Sequence, residues 1–167
     1  GAGDDTLFGS PFNDTVRGGL GDDVLQGGAG NDIISGDAGM NTQFEAADAD
    51  FTVRGTRITS TAIGNDSVSG IQRIALLGGA ENNRLNARAA TVAVTLLGGI
   101  GNDTLTGGNQ ADVLIGGDHS NLTLGTDSLI GNAGADTFDN DPADTRVIGV
   151  GDIVTDDIFL PSWLGLI

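Results

Sequence analysis

The chain has 167 residues, and 23 acidic residues against seven basic ones give it a net charge of −16. This negative charge argues against nucleic acid and anionic membrane surfaces as partners, because like charges repel. The chain has no cysteine, which excludes a disulfide framework and a thiolate zinc site, and it has no apolar run near the roughly 18 residues of a membrane-spanning helix. With 29 glycines and 4% aromatic residues, it suits a slender fold with a thin aliphatic core.

Residues 1–36 consist of four nine-residue repeats with the pattern G-G-x-G-x-D-x-U-x, where U is a large apolar residue. The glycine-rich half predicts a turn, because glycine readily adopts positive φ, and the x-U-x half predicts a short strand with one inward side chain. The aspartate and apolar pairs are Asp5 and Leu7, Asp14 and Val16, Asp23 and Leu25, and Asp32 and Ile34. The second repeat departs from the pattern, with Ser10, Pro11 and Phe12 where glycines are expected.

Two repeats make one full coil, so turns on the same side stack at the strand spacing of about 4.8 Å. We expect Asp5 to lie over Asp23, and Asp14 over Asp32. Stacked carboxylates repel one another unless a cation lies between them. The pattern therefore predicts rows of metal ions along the turns.

The pattern decays after residue 36, where Asn41 replaces the aspartate and Gln43 the apolar residue. Residues 45–57 carry no repeat and suit a loop or a longer edge strand. Weaker repeats follow, with Asp66 and Val68, then Asn83 and Leu85 at the same offsets, and apolar strands ending at Leu77 and Leu97. We interpret this region as larger coils that keep the strand stacking but have poor metal sites.

Good repeats resume at residue 98, with their aspartates at Asp103, Asp112, Asp127 and Asp136. Here we expect Asp103 to stack with Asp127, and Asp112 with Asp136. One repeat is longer, and its extra residues, 118–124, should bulge outward because the flanking register is kept. His119 lies in this bulge, and we interpret it as an exposed loop residue.

These repeats resemble the RTX (repeats-in-toxin) family of calcium-binding nonapeptides. The resemblance implies an all-β fold, a right-handed parallel β-roll or β-helix, with Ca²⁺ held in the GGxGxD turns by aspartate side chains and turn carbonyls. Ca²⁺ is favoured over Mg²⁺ because the turns offer many oxygens in an irregular cage, and about four to six ions would offset most of the charge. The predicted ligands are Asp5, Asp14, Asp23, Asp32, Asp103, Asp112, Asp127 and Asp136, with turn glycines Gly1, Gly3, Gly19, Gly21, Gly28, Gly30, Gly99, Gly101, Gly108, Gly125 and Gly134.

The repeats divide the chain into a first block with a decaying end (1–44), degenerate coils (45–97), a second block (98–139) and a C-terminal segment (140–167). The last ten residues, IFLPSWLGLI, form the most apolar run. We interpret them as a hydrophobic cap, because the open end of a solenoid needs cover. Part of a secretion signal and a partner-docking segment are the alternatives.

No HExxH, GxSxG or P-loop motif is present. The predicted function is therefore a non-enzymatic calcium-binding structural module of a secreted or surface-attached bacterial protein, which folds when it binds Ca²⁺ outside the cell. The chain begins within a repeat, at Gly1, so we expect a larger parent protein, and a cell-surface or polysaccharide partner is possible. The alternatives are an accessory domain of an exported enzyme and an adhesin or ice-binding segment.

Overall fold

A computed structural model describes residues 1–117, 125–139 and 141–156. Its regular elements in these ranges are all β-strands, which coil into a parallel β-solenoid of about seven turns. The predicted all-β solenoid is confirmed. Within the same ranges, no helix is long and apolar enough to cross a membrane.

One face of the solenoid is an eight-stranded parallel sheet with one strand from each coil. Its strands, in spatial order, are β1 (Thr6–Phe8), β3 (Val24–Gln26), β5 (Thr42–Ala46), β10 (Arg73–Leu77), β12 (Ala93–Leu97), β14 (Val113–Ile115), β16 (Thr137–Asp139) and β18 (Ile153–Thr155). The pairing Leu7↔Leu25 continues through the degenerate region, where Leu77 pairs with Leu97. Residues 67–97 therefore keep the parallel strand stacking that the sequence predicted, whereas residues 58–65 form antiparallel strands and depart from it.

The other face is divided into two sheets. The first has the order β2 (Thr15–Leu20), β4 (Ile33–Ala38) and β9 (Ser67–Ser69). The second has the order β17 (Thr145–Val147), β15 (Ser128–Ile130), β13 (Thr104–Thr106), β11 (Arg84–Ala90), β6 (Phe51–Gly55), β7 (Arg57–Ser60) and β8 (Gly64–Asn65). The division falls in the third coil, where the nine-residue pattern is lost.

A strand reversal connects these two sheets. β7 runs antiparallel to β6 on one side and to β8 on the other. β9 follows β8 almost at once and pairs in parallel with β4. β6 is paired on both sides, with β11 and β7, so residues 51–55 form an inner strand, where the sequence offered only a loop or an edge strand.

The core is a column of apolar side chains between the two faces. The apolar position of the repeat fills it: Leu25, Ile34, Leu85, Leu105, Leu114, Leu129 and Phe138 are fully buried. Alternate residues of the eight-stranded sheet form a second apolar cluster on its other side, made of Val24, Phe44, Ala75, Leu97 and Ile115. The thin aliphatic core expected from composition is thus present.

Strand stacking continues beyond residue 139, where the recognisable repeats end. β17 pairs with β15, and β18 pairs with β16. Arg146 stands opposite Leu129 in this register and donates to the carbonyls of Asp139 (2.9 Å) and Asp141 (2.7 Å). The predicted bulge at 118–124, His119 and the apolar run at 158–167 lie outside the described residues.

Candidate metal centre

The repeat aspartates form ladders in which each carboxylate reaches back to the preceding coil. The Asp5 N–H donates to Asp23 Oδ1 (2.9 Å), and the Asp14 N–H donates to Asp32 Oδ1 (2.8 Å). In the second block, the backbone N–H groups of Asp103 and Asp112 donate to the Oδ1 atoms of Asp127 (2.7 Å) and Asp136 (2.9 Å). All four predicted aspartate stacks are therefore present.

The second oxygen of most ladder carboxylates is buried and has no hydrogen-bond partner. These Oδ2 atoms belong to Asp23, Asp32, Asp66, Asp103, Asp136 and Asp144. A buried carboxylate oxygen without a partner is costly, and a bound cation or a proton would compensate for several in regular rows. The rows of unpaired oxygens run along the turns of the solenoid.

The first glycine of each repeat makes room for this unpaired oxygen. A Cβ built on Gly18, Gly98 or Gly131 would collide with the Oδ2 atom of the aspartate in the same repeat. None of these three glycines has positive φ, so the need for glycine there comes from space alone. Sequence reasoning missed this position, although the G-G doublet showed it, and the same holds for Gly27, Gly107 and Gly116.

The later glycines of the repeat, which were predicted to supply carbonyl ligands, also have a role in the backbone conformation. Gly101 has a φ of +126°, and a Cβ there would lie 2.6 Å from the carbonyl oxygen of Glu81 in the preceding coil. Positive φ and close stacking on a carbonyl together require glycine. The other predicted glycines with positive φ are Gly3, Gly19, Gly21, Gly28, Gly30, Gly99 and Gly134. Gly108 and Gly125 lack positive φ but pack against the carbonyls of Ala87 and Gly101, and Gly1 starts the chain.

A second ladder, which sequence reasoning missed, uses the residue just before the repeat aspartate. Here Oδ1 accepts from the following coil, as in Asp22 N–H to Asp4 (2.8 Å) and Asn31 N–H to Asn13 (2.9 Å). Asn102 N–H donates to Asn82 in the same way (2.8 Å). The recurring D-D and N-D pairs were the available signal. Because the two ladders accept hydrogen bonds from opposite directions, each turn is hydrogen-bonded to both the preceding and the following coil.

Two of the predicted ligands have their Oδ2 atoms already bonded. Ser10, which replaces a glycine, donates to Asp14 Oδ2 from its backbone N–H (2.6 Å) and its hydroxyl (2.7 Å). These bonds hold the pKa of Asp14 below its usual value. Asp112 Oδ2 accepts from the backbone N–H of Gly108 (2.6 Å). Asp14 is thus the repeat aspartate with the least need of a cation.

Burial and mutual repulsion make the second block electrostatically strained without a cation. Burial, then the charges of Asp144 and Asp103, raise the pKa of Asp127 to about 7. Burial raises the pKa of Asp112 to about 6, with repulsion from Asp136 adding to it. The pKa values of Asp103 and Asp136 are also raised, chiefly by burial. A divalent cation between the turns would reverse these shifts by favouring the charged form.

The aspartate ladders continue beyond the two blocks of good repeats. Asp32 N–H donates to Asp66 Oδ1 (2.9 Å). Asp66 thus takes the place of the next repeat aspartate, although it lies 34 residues after Asp32 in the sequence. Asp127 N–H donates to Asp144 (2.9 Å), and Asp136 N–H donates to Asp152 (3.0 Å), at spacings of 17 and 16 residues. These spacings depart from the 18 residues of the first block, so the sequence pattern did not show Asp144 and Asp152.

This donor set fits a hard divalent cation held between turns. The described residues contain no group of three acidic or histidine side chains that could hold a metal by themselves. Two stacked carboxylates and the turn carbonyls would therefore have to share the coordination. All of these donors are oxygens in an irregular cage, which suits Ca²⁺ better than Mg²⁺.

Gly116 and Gly117 provide a matched test of the space beside the carboxylates. A Cβ on Gly116 would collide with Asp127 Oδ2 and lie 2.6 Å from Asp144 Oδ2, whereas a Cβ on Gly117 would have its nearest neighbour at 4.0 Å. Neither glycine has positive φ. We expect Gly116→Ala to weaken one calcium site by about tenfold or more, as displaced ligand shells do, while Gly117→Ala leaves it unchanged. Calorimetric titration with Ca²⁺ measures both, and equal affinities would contradict the position of the site.

Comparison with known proteins agrees with this arrangement. The family model for the RTX calcium-binding nonapeptide repeat matches four times, at residues 1–16, 8–42, 95–122 and 123–141, which together make up just over half of the chain. No curated protein gave a significant match. The matched segments contain the eight predicted aspartates and leave out the coils between residues 43 and 94. The chain belongs to the RTX calcium-binding nonapeptide repeat family, whose repeats form Ca²⁺-binding structural modules of bacterial proteins.

Proposed function

We propose that this chain is a calcium-dependent folding module of a secreted or surface-attached bacterial protein, and that it has no catalytic role. The observation that carries the proposal is the set of buried carboxylate oxygens without hydrogen-bond partners in the turn ladders. To fold without Ca²⁺, the chain would have to bury these charges close to one another in a low-dielectric interior, which disfavours the folded state. Ca²⁺ would turn the same oxygens into ligands.

The aspartates would hold the ions together with turn carbonyls. Candidate carboxylates are Asp5, Asp14, Asp23, Asp32, Asp103, Asp112, Asp127 and Asp136, and Asp144 continues the row of Asp103 and Asp127. A bound Ca²⁺ supplies positive charge and fixes the spacing between turns. The residues of the chain supply oxygens, and the glycines keep side chains out of the space beside the carboxylates.

Mass action gives the scale of the folding switch. Extracellular calcium modules bind at roughly 10⁻⁴–10⁻³ M. A site at about 100 times its Kd adds about 2.7 kcal/mol to folding, so four independent sites would add about 11 kcal/mol. That equals the whole stability of an ordinary domain, which is about 5–15 kcal/mol. Cytosolic calcium is far below these constants, so the chain would stay unfolded for export and fold outside the cell.

Circular dichroism during a calcium titration tests this function directly. We expect a coil-like spectrum in chelator and a cooperative transition to a β spectrum by about 10 mM Ca²⁺, because that concentration exceeds the expected dissociation constants. Mg²⁺ at the same concentration is the control and should not produce the transition. A β spectrum that is already complete in chelator would contradict calcium-coupled folding.

A further inference from the structure

Three polar side chains lie inside the solenoid at the third coil, where the nine-residue pattern breaks. Gln43 and Glu45 have no exposed surface, and Asp66 is 1% exposed. Gln43 pairs in register with Leu25 and Ile74, which belong to the core, and Glu45 pairs with Leu76. A carboxylate among apolar side chains is strongly disfavoured unless something compensates for its charge.

The hydrogen bonds to these three side chains leave three of their five oxygens without a partner. Glu45 Oε1 accepts from the backbone N–H of Gly27 and from Gln43 Nε2, both at the long distance of 3.4 Å. Glu45 Oε2, Gln43 Oε1 and Asp66 Oδ2 have no hydrogen-bond partner. Each of the three side chains therefore has one buried oxygen without a hydrogen-bond donor, and Glu45 links the other two through its bond to Gln43 and the charge of Asp66.

The strand register explains why Glu45 lies beside the row of carboxylates that contains Asp32 and Asp66. β3 and β5 pair Val24 with Thr42, so Glu45 occupies in the third coil the place of Gly27. A Cβ on Gly27 would point at the Asp32 carboxylate, with Asp32 Cγ at 3.0 Å. Asp66 is the residue that stacks on Asp32 in the third coil, and its charge acts on Glu45. In the second coil, Gly27 leaves the space beside the repeat carboxylate free. In the third coil, the side chain of Glu45 starts from the equivalent position.

We propose that Glu45, Asp66 and the side-chain oxygen of Gln43 form a further Ca²⁺ site at the end of the row of Asp14, Asp32 and Asp66. This inference rests on the proposed function, because it takes the neighbouring carboxylates Asp14 and Asp32 to bind Ca²⁺. The third coil lacks a GGxGxD turn, since residues 51–60 form β6 and β7. Two side chains outside the repeat motif replace the oxygens that such a turn would give.

Ca²⁺ is the cation that suits these donors. Two carboxylates balance one divalent charge, and Gln43 Oε1 adds a neutral hard oxygen. Mg²⁺ usually keeps several waters and a strict octahedron, and a buried position among apolar side chains does not favour that arrangement. The competing account is a protonated Glu45 that needs no ion, since burial raises its pKa to about 8.

Calcium counting on two glutamate variants separates these accounts. Glu45 and Glu81 are the only glutamates, and Glu81 is exposed. We expect Glu45→Gln to bind one Ca²⁺ fewer per chain than the unmodified protein, and Glu81→Gln to bind the full number. Equilibrium dialysis with metal analysis gives the count at saturating Ca²⁺. An unchanged count in Glu45→Gln would overturn the proposal and favour the protonated acid.

Gln43→Leu keeps the test decisive if Glu45→Gln does not fold. Leucine is apolar like the core neighbours Leu25 and Ile74, so this variant should fold at least as well as the unmodified chain in high Ca²⁺. Loss of one neutral ligand should weaken one calcium site about tenfold. Unchanged affinities at every site would overturn the proposal. Failure of the proposed function would differ, because the unmodified chain would then bind no Ca²⁺.

Discussion

Asp23→Ala combined with Asp32→Ala should abolish calcium binding in the first block. Both side chains have a buried Oδ2 atom without a partner, and they stand in adjacent ladders. Loss of two sites at about 100 times their Kd would remove about 5 kcal/mol of calcium-dependent stability. We expect at least two fewer ions by equilibrium dialysis and a much smaller rise in melting temperature on adding Ca²⁺.

The same variant should behave differently in chelator. Removing two buried charges relieves repulsion, which offsets the loss of the hydrogen bonds to Asp5 and Asp14, worth about 1 kcal/mol each. Asp23→Asn with Asp32→Asn keeps an Oδ1 acceptor, so it isolates the effect of charge. Glu81→Ala with Asp156→Ala removes two exposed charges as a matched control. Unchanged calcium stoichiometry in the alanine pair would refute the assignment of these aspartates.

Stability of the calcium-free chain should fall as the pH rises from about 4 to about 7. The pKa of Asp112 is raised to about 6 and that of Asp127 to about 7, from an ordinary value of 3.8. The folded state therefore binds more protons than the unfolded state between these values. The stability that such groups contribute is complete below their pKa in the unfolded state, and it is lost as the pH rises through their pKa in the folded state. Circular dichroism in chelator across this range measures the folded fraction, which we expect to be larger near pH 4 and to fall toward the coil-like spectrum at pH 7.

Calcium should reverse this dependence. Ligand carboxylates must be deprotonated, so calcium affinity should rise across the same pH range. The net charge of −16 also disfavours the folded state at higher pH, so Asp127→Asn should be compared with Asp156→Asn, which changes an exposed residue. We expect a flatter slope only for Asp127→Asn. Stability in chelator that increases from pH 4 to 7 would contradict the buried, strained state of these carboxylates.

The repeats made the stacking predictable because each coil is nearly a copy of the last. A period of nine residues fixes which aspartates meet, and the pairings of Asp5 with Asp23 and of Asp103 with Asp127 follow from it. The apolar position two residues after each aspartate likewise fixes the core, as Leu25 and Leu129 show. Metal binding by these residues stays a prediction that the titrations above test.

The positions that the sequence did not reveal are those where the local pattern is lost but the stacking persists. Asp144 and Asp152 join the ladders at spacings of 17 and 16 residues, which differ from the 18 residues of the first block. The sequence showed Asp66 as part of a weak repeat, but not that it stacks on Asp32, 34 residues earlier. Only strand pairing with the neighbouring coil brings them into line. The first glycines were also missed, because their need for space depends on an oxygen of their own turn, as at Gly18.

The sequence alone thus determined the parallel β-solenoid, its apolar column and its rows of aspartates, since all three follow from one short repeat. The path of the chain through the third coil, in contrast, followed only from the tertiary structure. There the antiparallel strand β7 joins two sheets, and Glu45 lies where a glycine would otherwise stand. The physical reason is that backbone pairing between coils is indifferent to side-chain identity. Residues outside the repeat are therefore placed by the strands on either side of them and not by their own motif.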